Sequence, residues 1–360
     1  KMGEVLTNSQ IGGRRNLIIN GAMQVAQRGT SFTSTADLYT LDRFAIGHGT
    51  VNAMTVTQET DAPSGFQYSL KVLTGTGASS GSAGYGVLRQ AIEGTNMYHL
   101  KFGTSDAESV TLSFYVKSSL TGTFAVSIRN QAGNRAFAAT YTISSANTWE
   151  YKTITIAGDT SGTWTADTGI GLHVQFDLGA GSNYDIATGA WTSGSNMFGG
   201  ESTVKLTETT NATWFLTGLQ VEVGSQATPF EHRSFGEEQR LCQRYAIVYS
   251  KNGQPNMGQK AIGTGSSTNN SGAYQAFIFP QVTMRAVPTL TVGGSVSDYE
   301  ILKYETGFVD LNSSISLYSA SGRSLFVLAI SSATTEAERG RDVIMRLEGD
   351  NSSLLFDTEL

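Results

Sequence analysis

The strongest constraint on the fold is a set of segments in which apolar and polar residues alternate strictly. A period of two places every second side chain on the same face of a β-strand, whereas a helix needs a period near 3.6. Each segment therefore predicts a strand with one buried face and one face toward solvent or a ligand. The buried positions of the four clearest segments are Val110, Leu112, Phe114 and Val116; Phe124, Val126 and Ile128; Phe137, Ala139, Tyr141 and Ile143; and Ile170, Leu172, Val174 and Phe176.

The spacing of these strands and the composition both favour a β-sandwich or jelly roll. Successive segments recur roughly every 10 to 20 residues, as they do in such folds. Charged residues make up 15% of the chain, well below the roughly 25% of typical globular proteins. The 41 glycines suit the turns between strands. A chain of 360 residues is long enough for about two or three such domains.

The stretch from Thr213 to Tyr249 predicts the end of one domain and the start of another. It begins as a strand and is broken after Val223 by a glycine and a serine. Ser234 and Glu237 then form a capping-box pattern, which predicts a short connecting helix. The predicted apolar face of the strand carries Phe215, Leu219, Val221 and Val223.

The remaining chain predicts a second β-rich domain. Two polar segments, 251–272 and 294–313, are expected to form exposed loops at its tip, where loops on a rigid scaffold suit recognition. The predicted strands are 273–280, a strand after the turn in 283–292, and strands near 314–318, 324–331 and 342–347.

Three segments resemble modules of bacteriophage tail fibres and other virion appendages. Residues 16–29 (NLIINGAMQVAQRG) resemble the opening of such a module, and residues 218–233 (GLQVEVGSQATPFEHR), with EEQRLCQRY after them, resemble its closing boundary. Residues 279–292 (FPQVTMRAVPTLTV) resemble C-terminal modules of tail fibres. The resemblance implies a galactose-binding-like jelly roll of the carbohydrate-binding type, assembly into trimers, and attachment to other virion proteins.

These observations together predict four parts of the chain. They are an N-terminal attachment segment (1–20), a jelly-roll domain (21–232), a helical connector (233–249) and a C-terminal β-rich tip (250–360).

Charge and cysteine content argue against several classes of protein. The net charge is −6 and the basic residues form no dense stripe, so neither nucleic acid nor a membrane surface is an expected partner. Cys242 is the single cysteine, which excludes an intramolecular disulfide and a structural thiolate zinc site. A buried, unreactive thiol is the expected state of Cys242. No apolar run approaches the roughly 20 residues of a membrane-spanning helix.

No residue pattern in the chain predicts catalysis. The histidines lack metal-ligand spacing, and His173 is expected on the outer face of its strand, where a solvated side chain is commoner than a ligand contact. Asp177, Asp185 and Glu201 flank or end a long loop, 178–203, and such carboxylates serve polysaccharide hydrolysis in tailspike depolymerases. The repeat of a long β-helix, typical of those enzymes, is missing. We therefore expect no enzyme and no cofactor, and the sequence leaves a bound metal open.

Candidate sugar-binding residues lie in predicted loops that carry aromatic rings and polar groups. A sugar site needs a flat aromatic face together with hydrogen-bonding side chains. Trp191 has a second interpretation, as an anchor that packs the long loop onto the sandwich or a neighbouring subunit. Trp149 and Trp214 fit strand patterns and are expected in the core. The candidates are Tyr184, Asp185, Trp191, Trp164, Tyr299 and Tyr304.

The sequence thus predicts a non-enzymatic virion fibre protein, in particular a tail fibre that binds a host-surface glycan or another receptor. A trimer with several modest sites gains affinity through multivalency. Two alternatives stay open: a structural component of the same particle, such as a capsid fibre, a knob or an adaptor, and a polysaccharide depolymerase.

Overall fold

The computed structural model describes residues 14–195, 199–202, 204–251, 260–267, 273–303, 307–311, 313–320, 325–330 and 342–360. The chain divides into two compact units: the first runs to Glu238 and the second from Gln239 to Glu359. The described residues contain two short α-helices, α1 (Gly94–Met97) and α2 (Phe235–Gln243). Neither of these helices has the length and apolar character required to span a bilayer.

Two large antiparallel sheets form the first unit, with strands numbered in chain order. Sheet A has the order β1 (Ser31–Ser34), β4 (Met54–Glu59), β5 (Ser69–Thr74), β13 (Thr213–Val223), β7 (Val110–Ser118) and β10 (Glu150–Ile156). Sheet B has the order β12 (Trp191–Ser193), β9 (Arg135–Ile143), β8 (Gly122–Asn130), β11 (Ile170–Asp177), β6 (Tyr85–Glu93), β3 (Phe44–Gly49) and β2 (Leu38–Tyr39).

The core of the first unit lies between sheets A and B. Phe114 of β7 meets Phe176 of β11 edge to face, with ring centroids 5.1 Å apart. Trp214 of β13 is fully buried and packs on the same Phe176 ring at 5.2 Å. The alternating apolar positions in strands of both sheets are buried as predicted, except for Ala139 and Ile170, which are half-buried. The predicted class, a mostly β chain with a jelly-roll sandwich, is confirmed.

Strand β13 departs from the predicted single alternation. The pairing of β13 with β7 shifts between Thr217 and Gln220, and Gly218 has a φ of 62°. This bulge reverses the faces of the strand, so that Phe215 lies outside the core while Leu219 and Val221 lie within it. The prediction that Phe215 shares the apolar face of Leu219 is therefore wrong.

Residues 16–20, which the sequence assigns to an attachment segment, are buried in the first unit. The Asn16 side chain donates to the Leu219 carbonyl at 3.0 Å and accepts from the Val221 amide at 3.1 Å. A Cβ at Gly21 would lie 2.2 Å from the Leu219 carbonyl oxygen, so the close approach to β13 requires glycine there. The rest of the predicted attachment segment, residues 1–13, lies outside the described residues.

The second unit also contains two antiparallel sheets. Sheet C has the order β14 (Ala246–Ser250), β23 (Ser353–Asp357) and β17 (Thr289–Gly293). Sheet D has the order β19 (Gly307–Asp310), β18 (Tyr299–Lys303), β22 (Asp342–Leu347), β15 (Lys260–Ser267), β16 (Ala273–Ile278), β21 (Leu325–Ile330) and β20 (Ile315–Ala320). Apolar side chains of the two sheets share one core, which includes Phe356 of sheet C and Met345 of sheet D.

Both predicted tip loops of the second unit contain regular structure. Segment 251–272 includes β15, which pairs with β16 and β22, so its polar and glycine-rich composition did not exclude a strand. Segment 294–313 includes a 3-10 turn (Val296–Asp298) and strands β18 and β19. The later predicted strands agree with β16, β17, β20, β21 and β22. The four predicted domain limits themselves stay a prediction.

The connecting helix forms where the capping pattern places it. The Ser234 hydroxyl accepts from the Glu237 amide at 3.3 Å, and α2 begins at Phe235. Cys242 lies in this helix and is buried, as expected for a packed thiol.

Candidate functional site

An open cleft of about 780 Å³ lies on the outer face of sheet A. Strands β7 and β10 form its floor. They pair antiparallel, so directly opposite residues point to the same side of the sheet. Its walls are the loop at 64–66 and the segment 225–232 that follows β13. The facing pairs on the floor are Tyr115 with Tyr151, Ser113 with Thr153, and Thr111 with Thr155.

Aromatic rings form one end of this aromatic cleft. The rings of Tyr115 and Tyr151 lie 4.9 Å apart at 45°, and Phe66 lies 5.5 Å from Tyr115. Phe66 also contacts Phe230 edge-on at 5.0 Å and His232 at 5.2 Å. The Tyr151 side chain is 46% exposed, so its ring offers a surface to a ligand while Phe66 and Tyr115 are half-buried behind it.

The bulge at Gly218 creates the space in which these rings lie. A Cβ at Gly218 would come within 2.7 Å of Cζ of Phe66 and 3.0 Å of Cδ2 of Tyr115. The left-handed φ of Gly218 is also a conformation that glycine adopts without strain. The same glycine thus reverses the faces of β13 and leaves room for the aromatic end of the cleft.

Hydroxyl groups line the rest of the cleft. The Thr111 hydroxyl donates to the Gly224 carbonyl at 2.8 Å, and the Thr155 hydroxyl donates to the Ser225 carbonyl at 3.0 Å. These bonds hold the wall segment at one end of the floor, and Ser113 and Thr153 lie between that end and the tyrosines. No Asp, Glu, Lys or Arg is among the described residues that line the cleft. The surface is therefore aromatic and polar but uncharged.

Sequence analysis did not predict this cleft. Tyr115, Ser113 and Thr111 appeared only as the non-core face of one predicted strand. One sequence signal could have predicted it: β10 carries a tyrosine and two hydroxyl residues at every second position, as β7 does. These residues are Tyr151, Thr153 and Thr155. The pairing of β7 with β10 brings the two sets together.

Trp149, which was expected in the core, lies on the same outer face of sheet A beyond the tyrosine pair. It is half-buried, and its indole Nε1 donates to the Asp61 carboxylate at 3.1 Å. Lys117 forms an ion pair with the same carboxylate and lies 4.1 Å from the ring centroid of Phe215. The prediction of a core position for Trp149 is wrong, because the residue precedes β10 and its ring packs on Phe215, which lies outside the core.

Trp164 and Trp191 lie together at a corner of the sandwich. Their rings meet edge to face at 5.5 Å, and both pack on Phe102 at 4.9 and 5.7 Å. The Trp191 Nε1 donates to the Ala157 carbonyl at 2.7 Å, which fixes the ring on the sandwich. Trp164 borders a second cavity of about 380 Å³, where Tyr98 is 74% exposed.

Tyr184 and Asp185 lie elsewhere on the long loop. The Tyr184 hydroxyl donates to the Ala83 carbonyl at 3.0 Å, and its ring packs edge-on against Tyr85 at 5.2 Å. Asp185 is exposed and its backbone pairs with Gly199. The six sequence candidates therefore do not form one site in the described part of the chain.

The carboxylates considered for hydrolysis do approach each other. A Cβ at Gly199 would lie 2.6 Å from an Asp185 carboxylate oxygen and 3.0 Å from one of Asp177. Burial raises the pKa of Asp177 to about 6, although its carboxylate accepts from the amides of Gly179 and Ala180 at 2.8 and 2.7 Å and from the Ser202 hydroxyl at 2.9 Å. These contacts enclose the Asp177 carboxylate, so it offers no face to a sugar.

The sequence predicts that Tyr299 contacts a ligand at the tip of the second unit, and this prediction is wrong. It is fully buried in the core of the second unit. Its hydroxyl lies 2.7 Å from the carbonyl oxygens of both Gly293 and Ser353 and accepts from the Ser353 amide at 3.0 Å. Tyr299 therefore joins sheet D to sheet C and does not face a ligand. Tyr304, the other tip candidate, lies outside the described residues.

An acidic cluster in the second unit bears on the question of a metal. Carboxylate oxygens of Glu300, Asp310 and Glu348 lie within 4.8 Å of one another. Burial, together with a hydrogen bond that the protonated Glu300 carboxyl donates to Glu348, raises the pKa of Glu300 to about 7. The Arg346 guanidinium already pairs with the Glu300 carboxylate, so its charge is balanced within the protein and no metal is assigned there.

No protein-family model and no curated protein sequence matches this chain. Among solved structures, the enzymatically active domain of tailspike protein 4 of bacteriophage CBA120 is similar over 58% of this chain and 22% of that chain, with 16% identity and a TM-score of 0.32. The family 11 carbohydrate-binding module from Clostridium thermocellum, in complex with a mixed-linked tetrasaccharide, is similar over 55% of this chain and 98% of its own, with 14% identity and a TM-score of 0.29.

A third similar structure is the CBM22-1 xylan-binding domain from Paenibacillus barcinonensis, which covers 60% of this chain and 100% of its own, with 11% identity and a TM-score of 0.27. Likenesses of this size carry no functional argument. The fold class rests on the paired antiparallel sheets described above.

Proposed function

We propose that this chain is a non-catalytic fibre protein of a bacteriophage particle that binds a host-surface glycan through the aromatic cleft. The observation that carries the glycan part is the cross-strand ladder of Tyr115–Tyr151, Ser113–Thr153 and Thr111–Thr155. The virion part is supported by the sequence segments that resemble tail-fibre modules. Trimeric assembly and attachment to other virion proteins belong to the same proposal.

The chemistry of the cleft suits a sugar chain. A sugar ring has an apolar C–H face that packs on an aromatic ring, and hydroxyls at its edge that bond with polar groups. The exposed Tyr151 ring supplies the first, and the hydroxyl of the exposed Thr153 supplies the second.

The absence of charge around the cleft favours a neutral sugar. An acidic sugar would need a cation or several donors to compensate for the loss of water around its carboxylate. The described residues that line the cleft include no lysine or arginine. We therefore propose neutral residues of a surface polysaccharide as its ligands.

Catalysis is not part of the proposal. Hydrolysis by paired carboxylates needs both groups to reach the glycosidic bond. The Asp177 carboxylate is enclosed by loop amides and the Ser202 hydroxyl, and no carboxylate among the described residues lines the aromatic cleft.

The proposal is tested by replacing the exposed ring. Tyr151→Ala removes the flat surface of the cleft without touching the core, so glycan affinity should fall at least about tenfold, which corresponds to about 1.4 kcal/mol. Binding of the labelled full-length chain to an array of bacterial surface glycans, followed by titration of each glycan that binds, measures this change.

The matched control is Tyr98→Ala, since Tyr98 is another exposed tyrosine, beside the second cavity. Its affinity should stay within about twofold of the original. Loss of binding in the Tyr98 variant but not in the Tyr151 variant would move the site to the corner cavity. Failure of the unaltered chain to bind any glycan would favour a purely structural role in the particle.

A further inference from the structure

The outer face of sheet B carries a compact group of polar side chains, hereafter the basic face: Arg89, Arg129, His173 and Gln175. Leu172, Val174 and Phe176 of β11 point into the core, so His173 and Gln175 point outward. Gln175 stands opposite Arg89 of β6, and His173 stands opposite Arg129 of β8. The Arg129 Nε donates to the Gln175 side-chain oxygen at 3.0 Å, which confirms that these groups meet.

Small residues surround the basic face. Each of its four residues pairs with another member of the face on one neighbouring strand and with a small residue on the other neighbouring strand. These four small residues are all alanine or serine. None of these partners brings a charged group to the basic face. These partners are Ala45 beside Arg89, Ala91 beside His173, Ser127 beside Gln175 and Ala136 beside Arg129.

The charge of this face is dominated by the two guanidinium groups. Arg89 forms an ion pair of 2.8 Å with Asp37, while the Arg129–Gln175 bond joins a cation to a neutral amide. Burial lowers the pKa of Arg129 to about 10, with a contribution from the nearby Arg89 charge, so Arg129 stays protonated at neutral pH. Burial and the same two arginines hold the pKa of His173 well below its ordinary value, which keeps its imidazole neutral.

Two buried polar atoms of this face have no partner among the described residues. They are Nδ1 of His173, whose residue is 5% exposed, and Nε2 of Gln175, whose residue is fully buried. The bond from Arg129 fixes the amide orientation, because the oxygen of Gln175 must face the guanidinium and its NH₂ group must face away. A buried polar atom without a hydrogen-bond partner destabilises the fold, so a bound atom is expected beside these two groups.

We propose that the basic face binds an anionic group, either the carboxylate of an acidic sugar or a phosphate. The oxygens of this group accept from Gln175 Nε2, from His173 Nδ1 in the tautomer that carries its proton there, and from the guanidinium groups. Charge-assisted bonds to arginine are stronger than bonds between neutral groups. The Arg89 side chain is 23% exposed, which gives the ligand access from the rim.

This site is distinct from the aromatic cleft in both place and chemistry. The cleft lies on sheet A and is uncharged, whereas the basic face lies on sheet B and carries two cations. The inference therefore does not depend on the proposed function, and a protein that binds no neutral glycan could still bind an anion here.

The test uses the full-length chain with ¹⁵N-labelled histidine. Sodium glucuronate, sodium phosphate and glucose are added separately, and the imidazole signals of His173 are followed by NMR. We expect a saturable shift with glucuronate, with phosphate or with both, and none with glucose. Saturation by glucuronate alone identifies an acidic sugar as the ligand, and saturation by phosphate alone identifies a phosphate group.

Gln175→Glu is the sharpest variant, because it keeps the shape of the side chain while placing a carboxylate against Arg129. This internal carboxylate competes with the ligand, so anion affinity should fall at least about tenfold. Lys101→Gln is the control: it likewise lowers the net charge of the first unit by one, at an exposed position away from sheet B, and should change affinity less than about twofold.

Two results would overturn the proposal. One is the absence of any shift at His173 with both anions, which would identify ordered water as the partner of the two donors. The other is equal anion affinity in the original chain and in Gln175→Glu. If melting curves show that Gln175→Glu is unfolded, Arg129→Gln, which removes one cation, takes its place with the same expected loss.

Discussion

At the scale of single residues, a buried hydroxyl decides the role of Tyr299. The sequence placed this tyrosine in a polar loop, where an aromatic ring suits ligand contact. In the structure the chain around it pairs into β18, and the hydroxyl bonds with Gly293 and Ser353 of the neighbouring strands. Burial raises the pKa of Tyr299 to about 12, so it stays neutral at any physiological pH.

Tyr299→Phe should therefore act on stability and not on binding. The change leaves the Ser353 amide and two carbonyl groups short of a partner, which costs about 1–3 kcal/mol of unfolding free energy. Differential scanning calorimetry of the full-length chain measures the loss.

Tyr249→Phe serves as the comparison in the same unit, since Tyr249 is half-buried and packs edge-on against Phe356. Its cost should be below about 0.5 kcal/mol. Equal, small effects of the two variants, combined with weaker binding to host cells by Tyr299→Phe, would restore Tyr299 as a ligand contact.

At the scale of elements, strand β13 links the fold to the candidate site. Its N-terminal half buries Trp214 and Leu216, and its C-terminal half buries Leu219 and Val221. Leu216 and Leu219 are successive core positions three residues apart, whereas a regular strand places successive core positions two apart. The extra residue forms the bulge at Gly218. The sequence carried this information as a break in the period of two, but the break alone does not say which half faces inward.

Gly218→Ala should destabilise the first unit and disturb the cleft. A left-handed alanine costs about 1–2 kcal/mol, and displacing the Phe66 and Tyr115 rings adds about 1–3 kcal/mol more. Chemical denaturation followed by tryptophan fluorescence gives the change in unfolding free energy, and the glycan titration gives the change in affinity.

Gly81→Ala separates backbone strain from crowding. Gly81 has a φ of 55°, close to that of Gly218, but a Cβ there would meet no atom within 4 Å. This variant should lose only the strain energy and keep its glycan affinity. If both variants lose the same amount of stability, the rings of Phe66 and Tyr115 move aside without cost, and crowding does not contribute to the effect of Gly218→Ala.

At the scale of the whole molecule, each unit has its own core and contains at least one buried carboxyl group with a raised pKa. Asp177 in the first unit and Glu300 in the second both have raised pKa values, mainly because burial disfavours the charged form. All four tryptophans lie between residues 149 and 214, so tryptophan fluorescence reports on the first unit alone.

The raised pKa of Asp177 predicts how the stability of the first unit depends on pH. Burial raises the pKa of the folded carboxyl from its ordinary value of 3.8 to about 6, so the folded state binds the proton more tightly. Its contribution to unfolding free energy is therefore present at low pH and is lost as pH rises from about 4 to about 6. The total change is up to about 3 kcal/mol.

Asp177→Asn should gain stability relative to the original chain over that interval. The asparagine loses the acceptor of the Ser202 bond, which is a cost independent of pH, but it is never charged. Melting curves of both proteins between pH 4 and pH 7, read by tryptophan fluorescence, give the difference. A difference that stays constant with pH would contradict the raised pKa.

The alternation of residues determined much of this protein before any contact was known. It fixed the class, the positions of most strands and the inward set in β7, β8 and β11, because the period of two is a property of each strand by itself. It did not find β15, whose glycines and serines resemble a loop, since that strand forms only through its pairing with β16 and β22.

Only the tertiary structure decided which outward residues meet. Gln175 and Arg129 are 46 residues apart in the chain and bond because β11 lies beside β8. Tyr115 and Tyr151 form a cleft because β7 pairs with β10, while Tyr299 is buried because β18 joins a sheet. The sequence determines which face of a strand is polar, and the order of strands in each sheet determines what that face can bind.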